Sequence, residues 1–128
     1  MAYEILFFIG RILFGLFHVY GGIGHFIKPE MMKQYAKSKK VPFPGLSVFA
    51  TGMILILGGA SILLGFYPLI GVSLLTVFYL GVTLMMHNFW AVPEKQKMEE
   101  FNNFRRNLAL MGAALMLLSI PLPWAYSL

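Results

Sequence analysis

The chain has 128 residues, of which 59% are hydrophobic and 12% charged, with a net charge of +5 and no cysteine. A charged share about half that of a globular domain leaves too little polar surface for a water-soluble fold, and the apolar content excludes disorder. Without cysteine there are no disulfides, thiol redox centres, cysteine nucleophiles or thiolate metal sites.

Apart from Glu4 and Arg11, every charge falls in 28–45 or 91–106. The long uncharged runs between them read as membrane spans. A span needs about 20 apolar residues to cross about 30 Å of hydrocarbon, and continuous runs must be helical to satisfy their own backbone. The first span covers 5–27. It lacks a basic n-region and an A-x-A cleavage pattern, so it reads as a retained span and not a signal peptide. In the loop 28–45, Pro29 suits a first helical turn. Met31, Met32, Tyr35 and Ala36 alternate with Lys33, Lys37 and Lys40 at helical spacing. This predicts a short interfacial helix, ended by Pro42-Phe43-Pro44-Gly45. Spans two and three, 46–66 and 69–90, are separated only by Tyr67 and Pro68, which predicts a tight hairpin. Gly52, Gly58, Gly59, Ala60, Ser61 and Gly65 read as close-packing positions. The loop 91–106 is partly amphipathic, and its Glu94, Glu99 and Glu100 read as solvated partners of its lysines. The fourth span covers 107–126. The expectation is one all-α domain over 1–128, an integral membrane four-helix bundle.

Orientation follows from the basic residues. Lys28, Lys33, Lys37, Lys39, Lys40, Lys95, Lys97, Arg105 and Arg106 lie in two loops on one side, and no basic loop residue lies on the other. The positive-inside rule then places loops 28–45 and 91–106 in the cytoplasm and both termini outside, in a plasma or inner membrane. The charge thus sets topology and meets anionic lipid, with no need of nucleic acid. Tyr3, Tyr67, Trp124 and Tyr126 would mark the outer interface; Tyr35, Trp90, Phe101 and Phe104 would mark the inner one.

Ionisable groups inside a membrane are costly and need a reason. Glu4, Arg11, His18 and His25 recur every seven residues and therefore lie on one stripe of the first helix. Thr76, Tyr79, Thr83 and His87 form a second stripe, on the third span. At about 1.5 Å per residue, His18 and Thr83 lie at matching depths, as do His25 and His87. If the stripes face each other, His25 pairs with His87 and His18 meets Tyr79 and Thr83. Asn88 and Asn107 sit at the inner interface, as helix caps or headgroup ligands. Such a seam suits a quinone headgroup, with histidines donating to carbonyls and moving protons. Arg11 reads either as a ligand for an anion or a quinone carbonyl, or as a side chain snorkelling toward Glu4 or the C-terminal carboxylate. The plainer reading is that all these groups hold helices together. Two level histidines also match a b-type haem, which nothing in the spacing requires. No carboxylate sits at that depth to complete a metal site.

The chain resembles the DoxX family of small four-helix membrane proteins. The resemblance is carried by Arg11-Ile-Leu-Phe-Gly15, Gly21-Gly22-Ile-Gly24-His25-Phe26, Pro42-Phe43-Pro44, the segment from Gly58 to Gly65, His87-Asn-Phe-Trp90, and the segment from Phe104 to Gly112. It implies a membrane redox or quinone setting, since the family takes its name from a quinol oxidase subunit and includes the membrane subunit of a thiosulfate:quinone oxidoreductase. Three functions stay open at this stage. The first is a quinone- or quinol-binding protein, or the membrane subunit of a quinone-linked oxidoreductase. The second is a non-catalytic subunit that stabilises a larger membrane complex or self-associates. The third is a transporter of a lipid or small solute.

Overall fold

Proline starts three of the helices and glycine stops one of them. A computed structural model describes residues 1–128. It contains α1 (Ala2–Ile27), α2 (Pro29–Ser38), α3 (Pro44–Leu64), α4 (Pro68–Met86) and α5 (Glu94–Met116), with single 3₁₀ turns at Phe89–Ala91 and Leu117–Ser119. Pro29, Pro44 and Pro68 each occupy the first turn, where the missing N–H has no partner to lose. There are no strands. Three segments, α1, α3 and Pro68–Ala91, are long and apolar enough to cross a membrane. The protein is an all-helical membrane bundle, and α2 is the short helix expected in the first basic segment.

α5 departs from expectation. The predicted fourth span, 107–126, is helical only in its first half. The helix begins instead at Glu94, because Pro93 ends the preceding turn and no breaker interrupts 94–106. It ends early because Pro121 and Pro123 have no N–H to continue it. The segment expected as a second basic loop is thus the first half of α5. The chain beyond Ser119 folds back onto the bundle. Trp124 is 4% exposed, packs edge-on against Phe7 with ring centroids 5.2 Å apart, and joins a core of Leu55, Ile62, Val72, Leu75, Tyr79 and Ala114. It is therefore a core residue and not part of an interfacial belt.

The closest helix pair is α1 with α3, and glycine sets its distance. A Cβ on Gly15 would lie 2.8 Å from the Gly59 carbonyl, and one on Gly22 would lie 2.8 Å from the Gly52 carbonyl. The reverse contacts are as tight, with Gly59 against the Gly15 carbonyl and Gly52 against the His25 Cβ. This is backbone-to-backbone packing of an antiparallel pair, which lets dispersion contacts operate where water cannot drive association.

The end of α3 is closed by several groups at once. Gly65 adopts φ 70°, and Phe66 and Gly65 donate their N–H groups to the Ser61 and Ile62 carbonyls. This is a Schellman motif. Arg11, 1% exposed, adds Nε to the Ile62 carbonyl and Nη2 to the Leu63 carbonyl, both at 3.1 Å, and Nη1 to the Ala125 carbonyl. The Leu128 N–H takes the Leu64 carbonyl at 3.0 Å. Each of the last four α3 carbonyls, left without helical partners, therefore has a donor. A cation at the negative end of the helix dipole is also favourable. Phe7, Phe8 and Trp124 surround the guanidinium at 5.4–5.7 Å.

Gly59→Ala should lose about 1–3 kcal/mol, because the methyl meets backbone that cannot move aside. Gly10→Ala, whose methyl meets nothing within 4 Å, should not lower the melting temperature. Thermal melting of both variants in detergent micelles, followed by circular dichroism, checks this; equal melting temperatures refute the close-contact account.

Candidate ligand cavity

Because α1 is drawn onto α3, α4 stands away from α1. The gap is a cavity of about 550 Å³ whose wall takes residues from all five helices. Most of the wall is apolar, with Phe17, Ile54, Leu55, Phe78, Val82 and Leu110 among its members. A volume of this size lies within the range of small-molecule sites.

His18 and Tyr79 close the gap at one point. His18 is 1% exposed. Its Nδ1–H donates to the Phe14 carbonyl at 2.7 Å, so Nε2 is the acceptor and takes the Tyr79 hydroxyl at 2.6 Å. The carbonyl accepts only, which fixes the tautomer. Thr83, one turn beyond Tyr79, is buried, but its Oγ1 has no hydrogen-bond partner and it is not on the cavity wall. His18 therefore meets Tyr79 but not Thr83.

His25 and His87 both line the cavity but do not pair with each other. His25 donates Nδ1–H to the Val48 carbonyl at 3.0 Å and to Thr51 Oγ1 at 3.1 Å. His87, just past the end of α4, donates Nδ1–H to Glu100 Oε2 at 2.9 Å. The expected His25–His87 pair does not form because the α1–α3 glycine contact turns His25 toward α3, and α5 supplies His87 with a carboxylate. Glu100, expected to be solvated, is 7% exposed and accepts from Tyr35 at 3.2 Å, with Lys39 Nζ 3.9 Å away. Lys39 also donates to Asn88 Oδ1 at 3.3 Å, so Asn88 anchors α2 and does not reach the cavity. Arg11 is likewise away from the cavity, and its partners are carbonyls, not Glu4 or the terminal carboxylate.

Asn107 is 6% exposed, lines the cavity and has no side-chain hydrogen bond. Beside it, Arg106 reaches the wall and forms no ion pair. Of the residues expected at a site, the fold thus gathers His18, His25, Tyr79, His87 and Asn107. It leaves Arg11, Thr83 and Asn88 outside. Sequence reasoning missed Tyr35, Ser47, Thr51, Glu100 and Arg106. One signal for Glu100 was present: Glu100, Asn107 and Ala114 are the buried residues of α5 and recur every seven residues, the same spacing as the α1 stripe.

Residues 6–88, covering α1 to α4, match the sequence model of the DoxX family. The chain belongs to that family of membrane proteins. An inner membrane protein of Escherichia coli strain K12, YphA, is 30% identical over 130 residues, covering 99% of this chain and 90% of that protein. No solved structure matches the chain.

Partial burial, with Glu100 beside it, pushes the Tyr35 phenol up to about 12 from its ordinary value near 10. The folded chain therefore holds this proton while the unfolded chain loses it. Stability from the Tyr35–Glu100 contact should be intact below pH about 10 and lost as pH rises toward 12. Alkaline titration of tyrosinate absorbance, native chain minus Tyr35→Phe, should show one phenol ionising late. A difference curve centred on the ordinary tyrosine value contradicts the contact.

Proposed function

We propose that the chain is the quinone- or quinol-binding membrane component of an oxidoreductase, holding the ligand's headgroup in the cavity between α1 and α4. The observation that carries this reading is the carboxamide of Asn107, which lines a mostly apolar wall without a hydrogen bond to the protein. Its amide can both donate to and accept from a ligand in the cavity. An apolar cavity with few convergent polar groups suits an aromatic ring carrying oxygens. His25 and His87 also line this cavity. With no cysteine, no thiol relays electrons inside this chain, and the electron donor or acceptor belongs to a partner subunit. The family resemblance points to the same setting.

The basic residues orient the bundle. α2 and the charged half of α5 face the cytoplasm, and the turn at Tyr67 faces out together with both chain ends.

Solvent extraction of the purified protein should release a quinone detectable by mass spectrometry, and a short-chain quinone or quinol should bind with a calorimetric signal. Asn107→Leu should weaken that binding by about tenfold or more. A protein that carries no quinone and binds none refutes the reading. For orientation, Lys37→Cys introduces the only thiol. A membrane-impermeant maleimide should label it in inverted vesicles and not in intact cells; labelling from outside reverses the topology.

A further inference from the structure

The hydrogen-bonding groups on the cavity wall are not evenly divided between donors and acceptors. His25 and His87 both spend Nδ1–H on the protein, on the Val48 carbonyl with Thr51 and on Glu100. In the neutral imidazole this leaves Nε2 as a bare lone pair, and no protein group bonds either one. Lys39 and the Tyr35 hydroxyl also meet the Glu100 carboxylate.

The wall hydroxyls show the same bias. Tyr35 gives its proton to Glu100 and Tyr79 gives its proton to His18. Ser47 donates to the Pro42 carbonyl at 2.8 Å, and Thr51 donates to the Ser47 carbonyl at 2.7 Å. Each hydroxyl therefore has only lone pairs left for a ligand. The donors that remain on the wall are the carboxamide of Asn107 and the guanidinium of Arg106.

A quinone offers two carbonyls and can only accept. A quinol offers two hydroxyls and needs acceptors. We infer that the cavity selects the reduced, hydroxyl-bearing form of its ligand, a quinol, over the oxidised quinone. This rests on the quinone-binding reading and adds which redox form is held. His25 and His87 are the acceptors for the two hydroxyl protons. Glu100 is a positioning residue, because it fixes the His87 tautomer. Asn107 serves either form.

The experiment compares three probes of one shape by calorimetry under argon at mildly alkaline pH: durohydroquinone, duroquinone and the dimethyl ether of durohydroquinone. The hydroquinone should bind at least about tenfold tighter than the quinone. The dimethyl ether keeps the ring and oxygens but has no O–H, and should lose that advantage. Glu100→Gln offers His87 either a carbonyl or an N–H, so it no longer fixes one His87 tautomer. It should shrink the hydroquinone-to-quinone ratio severalfold, a readout that general destabilisation does not move because both probes share the fold. Equal or tighter binding of the quinone overturns this inference while leaving the binding reading intact. Failure of all three probes to bind overturns both.

Discussion

Four glycines decide where the empty space lies. Gly15 and Gly22 on α1 meet Gly59 and Gly52 on α3 at distances that no side chain tolerates. α4 packs on α3 through a second glycine pair, with Gly58 against Leu75 and Gly71 against Ser61. It faces α1 only across a gap, bridged by His18 and Tyr79. The cavity is therefore a product of tight packing elsewhere and not of loose packing in general.

Within that frame the polar groups divide into two kinds. Arg11 satisfies main-chain carbonyls that would otherwise stand bare in an apolar medium, where each unmet group costs several kcal/mol. His18 with Tyr79, and Glu100 with Tyr35 and Lys39, hold helices in place. These groups are saturated by the protein itself. The second kind, Asn107 and the outer nitrogens of His25 and His87, is unsaturated and lies on the cavity wall. Thr83 Oγ1 fits neither kind: it is buried and unpartnered but lies off the wall.

Much of this was legible in the sequence, and the misses have physical causes. The seven-residue recurrence of Glu4, Arg11, His18 and His25 marks one helix face, on which Arg11 and His18 are buried, His25 is half-buried and Glu4 is exposed. The proline-led start of α2 was equally readable, since ring geometry acts locally, whereas Pro44 and Pro68, expected in the connecting turns, open α3 and α4. Depth matching paired His25 with His87, but depth says nothing about which helices touch, and the glycine faces settled that. Glu100 stands in a run of charges, and composition treats such a run as solvated. Its burial depends on α2 folding over it with Tyr35 and Lys39, a tertiary event. The fourth apolar run was taken as a helix along its whole length, although Pro121 and Pro123 already marked where its backbone could not continue.

The clamp at Arg11 also constrains the order of assembly. Its partners lie 51, 52 and 114 positions further along the chain. When α1 first enters the bilayer, none of them exists. The guanidinium thus has no protein partner until the end of α3 is present. Its link to Ala125 ties the first helix to the tail that carries the buried Trp124, so the two ends of the chain close the same end of the bundle.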